Sequence, residues 1–191
     1  TLGPIIHNRH VVSRFASMGV PEIGDVSEAP DGAVVVIRSH GVGKAVYDAL
    51  HARGLTIVDA TCPFVERIHT IAHTASKAGR TVIIVGDRTH PEVLAIAGWC
   101  ADPVVVENDA ALRAWLAEDA SHANAPLTAV CQTTNTQNTW KSCTNLLKKQ
   151  CTNCEIFDTI CNATEKRQSE AVILAGASDA VVVVGDAASS N

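Results

Sequence analysis

Two cysteines stand in the same local setting. Asp59-Ala60-Thr61-Cys62 and Asp158-Thr159-Ile160-Cys161 each follow a short apolar run, and each leads into a helix-compatible stretch. Glu66 and Glu165, and Gly86 and Gly185, keep the spacing of the two cysteines, 99 residues, so the copies align without a gap. Self-similarity at one period is a statement about architecture. A cysteine that ends a strand and opens a helix meets free N–H groups and the positive end of the helix dipole, which favour thiolate over thiol. Pro63 fits the first turn of such a helix. Two thiolates in related units predict one shared site. The competing reading makes both cysteines small buried hydrophobes.

Polar residues recur at the other strand ends. His7 follows Ile5-Ile6, His40 follows the run 33–37, His90 follows 81–85, and Thr133 follows 127–130. Cys62 to His90 and Cys161 to Ser189 are both 28 residues. By the same logic, a third cysteine is expected roughly 28 residues upstream of His7, before Thr1. Three thiolates suit a [4Fe–4S] cluster with one iron left open to a substrate oxygen. Imidazoles with hydroxyl and amide donors suit a phosphate or diphosphate. Glu92, two residues after His90, adds a carboxyl at the same loop and is a candidate proton donor.

These residues need a scaffold. The unbroken apolar run at 33–37 reads as a buried parallel strand, with further strands at 81–85, 104–106 and 127–130 and shorter ones at 55–58 and 156–157. Further strands are expected at 2–6 and 180–184. Helices are expected at 8–19, 44–53, 62–78, 92–99, 109–117 and 139–149, several stopped by glycine. The pattern predicts an α/β chain of repeated modules with small, mainly parallel sheets around a central cavity. The modules divide as 1–61 (partial first), 62–157 (complete second) and 158–191 (partial third). The missing Met at the start, and the end just after an expected strand, predict a piece of a longer protein.

The chain of 191 residues has a formal net charge of −5 and no basic run, which argues against nucleic acid as a partner. No apolar run approaches a membrane span. Seven cysteines without a secretory signal point to a reducing compartment, the cytoplasm, and to metal or redox use rather than disulfides.

Taken in order, several motifs resemble those of the 4-hydroxy-3-methylbut-2-enyl diphosphate reductase family. They are Gly3-Pro4-Ile5-Ile6-His7-Asn8, Ser39-His40-Gly41-Val42, Asp59 to Pro63, His90-Pro91-Glu92-Val93, Gln132-Thr133-Thr134, Thr159 to Thr164 with Arg167-Gln168, and 185–191. The resemblance covers essentially the whole chain. It implies three α/β modules in pseudo-threefold arrangement around a [4Fe–4S] cluster, the last enzyme of the non-mevalonate isoprenoid pathway, and an electron donor such as ferredoxin or flavodoxin. It implies that Cys62 and Cys161 are two of three cluster ligands. It further implies that His7, His40, Ser189, Ser190 and Asn191 bind the diphosphate. His90 would be a substrate-site histidine, Glu92 the proton donor, and Thr133 the hydroxyl near the substrate alcohol. With the first ligand cysteine absent, the fragment alone is expected to be inactive.

Two other functions compete. One is a non-catalytic phosphate-binding α/β module. The other is a zinc or thiol-redox protein centred on Cys151-x-x-Cys154, whose spacing fits but which lacks a second Cys/His pair. His69 and His73 lie four apart on one helix and resemble a metal pair without a third ligand. Cys100, Cys131 and Cys143 read as packing or surface residues.

Overall fold

The structure, a computed structural model, describes residues 1–185. It is an α/β fold with two parallel sheets. The smaller pairs β1 (Val34–Ile37) with β2 (Thr56–Asp59), connected by α2 (Lys44–Ala52). The larger has four strands, β3 (Thr81–Val85), β4 (Val104–Val106), β5 (Leu127–Cys131) and β6 (Cys154–Ile156), in the order β4-β3-β5-β6. α3 (Pro63–Lys77), α4 (Pro91–Ala97), α5 (Asp109–Glu118) and α6 (Gln137–Gln150) cover it. α1 (Arg9–Ser17) precedes the small sheet and α7 (Asn162–Ala177) follows the large one.

The apolar runs explain this layering. β3 and β5 are central strands with helices on both faces, so alternate side chains serve two cores and every position is apolar or small. Ile83, Val85, Ala129 and Cys131 face Leu112 and Leu116 of α5 and Trp140, Cys143 and Leu147 of α6. Val82, Ile84 and Val130 face Ile68, Ala72 and Ala75 of α3 and Val93 and Ile96 of α4. The small sheet has its own core of Val35, Ile37, Leu50, Leu55 and Leu2.

Two expected strands are absent. At 2–6, only Leu2 bridges, to Ile23 and Ile37. Gly3 turns the chain at φ 69°, and Pro4 brings no N–H to a ladder. The run 180–184 makes no ladder with any described strand, and Val182, Val183 and Val184 are 86–92% exposed. A β-prone run without a neighbouring strand has nowhere to place its backbone hydrogen bonds. α7 likewise packs little against the rest of the described chain: its only buried residue is Thr164.

Candidate functional site

One short turn is used three times. Asp59 Oδ1 accepts from the Thr61 N–H at 2.9 Å, Asp87 Oδ1 from the Thr89 N–H at 2.8 Å, and Asp158 Oδ1 from the Ile160 N–H at 3.2 Å. Such aspartate-closed turns are a local alternative to continuing the strand. In each case the following residue is the N-cap of a helix. Cys62 (φ −60°, ψ 133°) opens α3, His90 (φ −69°, ψ 134°) opens α4, and Cys161 (φ −70°, ψ 131°) opens α7. His90 is thus the structural counterpart of the cysteines. The signal was available in Asp59-Ala60-Thr61-Cys62-Pro63 beside Asp87-Arg88-Thr89-His90-Pro91, and the 99-residue repeat drew attention away from it.

Neither cysteine side chain caps its own helix. Each is anchored through its backbone to a polar loop: Cys62 N–H donates to Ser39 O at 3.0 Å, and Cys161 N–H to Thr133 O at 2.9 Å. Phe64 and Arg67, just after Cys62, and Ile160 and Asn162, either side of Cys161, line one cleft of about 290 Å³. Both thiols are free and half-buried.

The three strand-end histidines converge. Ring centroids of His7 and His40 are 4.6 Å apart, of His40 and His90 5.4 Å, and of His7 and His90 6.0 Å. One ring nitrogen from each lies within 4.8 Å of those of the other two. His7 Nε2 and His40 Nδ1 are buried with no partner in the protein. Beside them, the buried Arg38 Nε is also unpartnered, a feature the sequence reading missed. Burial, then the neighbouring His7, His90 and Arg38, pushes His40 down to about 4. Burial and His7 also lower His90. The Glu92 N–H donates to His90 Nδ1 at 3.1 Å, so the proton of neutral His90 is on Nε2.

Glu92 turns away from its own helix end. Its carboxyl, 2% exposed, takes the Thr133 N–H on Oε1 and the Thr133 hydroxyl on Oε2, both at 2.6 Å. These two contacts, not a helix cap, hold it. Burial raises its pKa, and the Thr133 bonds oppose that only in part. Glu92 and Thr133 meet because their loops leave the paired strands β3 and β5 at the same end.

A glycine seam fixes the His40 loop to α4. A Cβ on Gly43 would lie 2.9 Å from Gly98 Cα, so the two backbones touch. Lys44 N–H donates to Gly98 O at 3.2 Å, and Trp99 Nε1–H to Val42 O at 2.9 Å. Gly41 sits at φ 68°, against the His69 ring. Ser189, Ser190 and Asn191 lie outside the described residues.

Cys151 and Cys154 pack partly against the core of the large sheet. Burial raises both thiols, Cys154 to about 11, which makes them poor nucleophiles. Among the described residues, no group of three metal-ligating side chains forms around them. His73 Nδ1 lies 3.2 Å from Trp99 O, and His69 stacks on the Trp99 ring.

The chain matches the LytB protein family over residues 1–191. It belongs to that family. This LytB protein is 39% identical over 195 residues to the 4-hydroxy-3-methylbut-2-enyl diphosphate reductase of Alkaliphilus oremlandii (strain OhILAs), covering 100% of the chain and 66% of that relative. The same-named protein of Clostridium perfringens (strain SM101 / Type A) is 37% identical over 193 residues, covering 100% of the chain and 66% of the relative. The chain thus spans just under two thirds of the length of these relatives. The structure also resembles that of the E-1-hydroxy-2-methyl-but-2-enyl-4-diphosphate reductase from Plasmodium falciparum. There the TM-score is 0.89 at 26% identity, over 99% of this chain and 59% of that one. A solved structure of (E)-4-hydroxy-3-methyl-but-2-enyl diphosphate reductase, the terminal enzyme of the non-mevalonate pathway, matches with TM-score 0.73 and 33% identity. It is covered over 62% of its chain, and this chain over 93%.

Proposed function

We propose that the chain forms the substrate-handling part of a reductase acting on 4-hydroxy-3-methylbut-2-enyl diphosphate. The reaction adds two electrons and two protons. The allylic C–O bond breaks, the oxygen leaves as water, and a C–H bond forms at either end of the allyl unit, giving isopentenyl or dimethylallyl diphosphate. The observation that carries this reading is the pairing of two unlike groups side by side. Unpartnered imidazole nitrogens of His7 and His40 stand beside His90, which leads directly to a buried, protonatable Glu92. The names of the relatives supply the substrate.

His7 and His40 bind the diphosphate, with Ser189, Ser190 and Asn191 assigned to it by the family resemblance. His90 donates its Nε2–H toward the substrate. Thr133 Oγ1 stands between the Glu92 carboxyl and the substrate alcohol. Glu92, whose pKa burial raises, passes its proton toward the leaving oxygen, which departs far more readily as water than as hydroxide. The second proton completes the new C–H bond.

Cys62 and Cys161 fit two of the three ligands of a [4Fe–4S] cluster. Both are free, uncommitted to capping, and placed at helix N-termini. When bound, such a cluster supplies single electrons and a Lewis-acidic iron. The other five cysteines occupy no N-cap. The third ligand belongs to sequence outside this chain, and the chain by itself is inactive. A small one-electron carrier such as ferredoxin or flavodoxin delivers the electrons, in a reducing compartment such as the cytoplasm. The chain divides into a partial first module (1–61), a second (62–157) and the start of a third (158–191).

The test is anaerobic turnover by the full-length protein with a reduced viologen as electron source. Brown protein that converts the allylic alcohol diphosphate to the two isomeric products is expected. Colourless protein that binds pyrophosphate without turnover would leave only the phosphate-binding module.

A further inference from the structure

Two of the three histidines are poorly charged for a multiply anionic ligand. His40 is pushed down to about 4 and His90 is lowered. Neutral imidazoles donate one hydrogen bond each but bring no net charge. Yet replacing the hydration of a diphosphate calls for charge as well as donors.

We propose that Arg38 is the fixed cation of this site, the residue that supplies the positive charge while the histidines supply direction. This rests on the reading of the ligand as a diphosphate. Arg38 is the first residue after β1 and lies two positions before His40. Its Nε is buried and has no partner. None of the ion pairs among the described residues involves it. The one acid whose charge reaches it is Glu22, which is exposed and makes no ion pair with it. The guanidinium is packed over Gly3, where any Cβ would collide with Nη1 and Cζ. Gly3 holds φ 69°, a conformation that glycine adopts at no steric cost. The chain has therefore cleared backbone space to seat a cation that it does not neutralise.

A half-buried guanidinium without an acid is costly, and proteins normally pair it. A ligand that arrives as an anion completes the pair. Arginine matches this role better than lysine, because its planar fork meets two phosphate oxygens at once and is never deprotonated. The charge of Arg38 also acts to lower His40 and His90, which keeps them neutral donors. The same arrangement disfavours a cation on the histidine trio, since no carboxylate of the trio offsets Arg38.

The probe is inorganic pyrophosphate, titrated calorimetrically into the full-length protein at low and high salt. Arg38→Gln is expected to weaken binding by about 10- to 100-fold, the scale of a lost charge-assisted bidentate contact. Arg38→Lys keeps the charge without the fork and is expected to fall between, which also tests the proposal if the glutamine variant does not fold. Wild-type affinity should drop with ionic strength more steeply than that of Arg38→Gln and about as steeply as that of Arg38→Lys. Unchanged pyrophosphate affinity in Arg38→Gln or in Arg38→Lys overturns the proposal. A lower melting temperature with unchanged affinity does so too, and assigns Arg38 to packing over Gly3. A wild-type protein that does not bind pyrophosphate at all overturns the diphosphate reading with it.

Discussion

Glu92→Gln isolates the proton from everything else Glu92 does. The carboxyl is 2% exposed, and both of its protein hydrogen bonds come from Thr133, at 2.6 Å each. Glutamine has the same length. Its Oε1 can accept the Thr133 N–H, and its NH₂ can donate to Thr133 Oγ1, which has free lone pairs. Both contacts survive, so the stability change should stay below about 1 kcal/mol. What is lost is a transferable proton. A positioned general acid contributes about 10²- to 10⁴-fold, which at about 1.36 kcal/mol per decade is a barrier increase of about 2.7 to 5.4 kcal/mol. Pyrophosphate affinity should change by less than about threefold, because the histidines rather than Glu92 hold the anion. The assay is steady-state reduction by the anaerobically reconstituted full-length enzyme, with iron content measured in parallel. The expected result is a kcat loss of at least about 100-fold with KM nearly unchanged. A kcat within about fivefold of wild type, with iron and KM intact, would refute the reasoning and leave Glu92 as a structural tie to Thr133.

His40→Ala should weaken pyrophosphate binding by about 10-fold in the same titration, since it removes one of two unpartnered donors. In the pH dependence of unfolding, the His40 and Glu92 contributions have opposite signs. The folded pKa of His40 is about 4 against 6.5 unfolded, so the unfolded state binds more protons between those values and stability is lost as pH falls from 6.5 toward 4. Glu92 is raised above 4.5, so the folded state binds more protons and stability is lost as pH rises from 4.5 through the folded value. Chemical denaturation of His40→Gln and Glu92→Gln across pH 4–8 should flatten the first slope and the second respectively. Cys62→Ser and Cys161→Ser in the full-length protein should each abolish the absorption band near 400 nm (roughly, as iron–sulfur charge transfer gives), and a variant retaining full iron content removes that cysteine from the ligand set. Gly98→Val forces a branched side chain toward Gly43 Cα, where a Cβ alone would sit at 2.7 Å, and should cost about 1–3 kcal/mol of stability together with weaker pyrophosphate binding. Unaltered binding in that variant would show that the seam does not set the His40 loop.

Much of the fold was legible because parallel strands buried on both faces must be continuously apolar, and β1, β3 and β5 are. The ends of those strands were legible for the complementary reason, since polar residues there break the run abruptly. His40, His90 and Thr133 were found this way, and His7 was found by the same pattern although its run forms no strand. The run 180–184 shows the limit: it has the composition of a strand, but pairing depends on a neighbour, and no described strand takes its hydrogen bonds. Arg38 was invisible for a related reason. One arginine after a strand is unremarkable in sequence, and what distinguishes it is the absence of an acid within reach, a fact of three dimensions.

The two kinds of strand-end residue make different demands, and the local chemistry meets each. A proposed metal ligand or a capping histidine must be held at a fixed angle, and the three aspartate-closed turns do this for Cys62, His90 and Cys161 within a few residues of chain. Such a device is local, so it leaves a motif that recurs in the sequence. The histidine trio instead depends on the placement of one sheet against the other. His40 rides on a loop after β1, His90 on the start of α4, and the contact of Gly43 with Gly98, the Lys44 N–H bond to Gly98 O and the bond from Trp99 to Val42 tie the two elements that hold them 5.4 Å apart. These ties use glycine backbone and one indole N–H, groups with little freedom to adjust. The spacing of the anion donors is thereby linked to the packing of α4, whose first turn carries Glu92. A shift of α4 moves the proton donor and the His90 end of the anion site together. On the proposed reading, anion binding and proton delivery share one rigid element, and a perturbation of the glycine seam should degrade both in parallel, whereas changes at Arg38 or Glu92 should separate them.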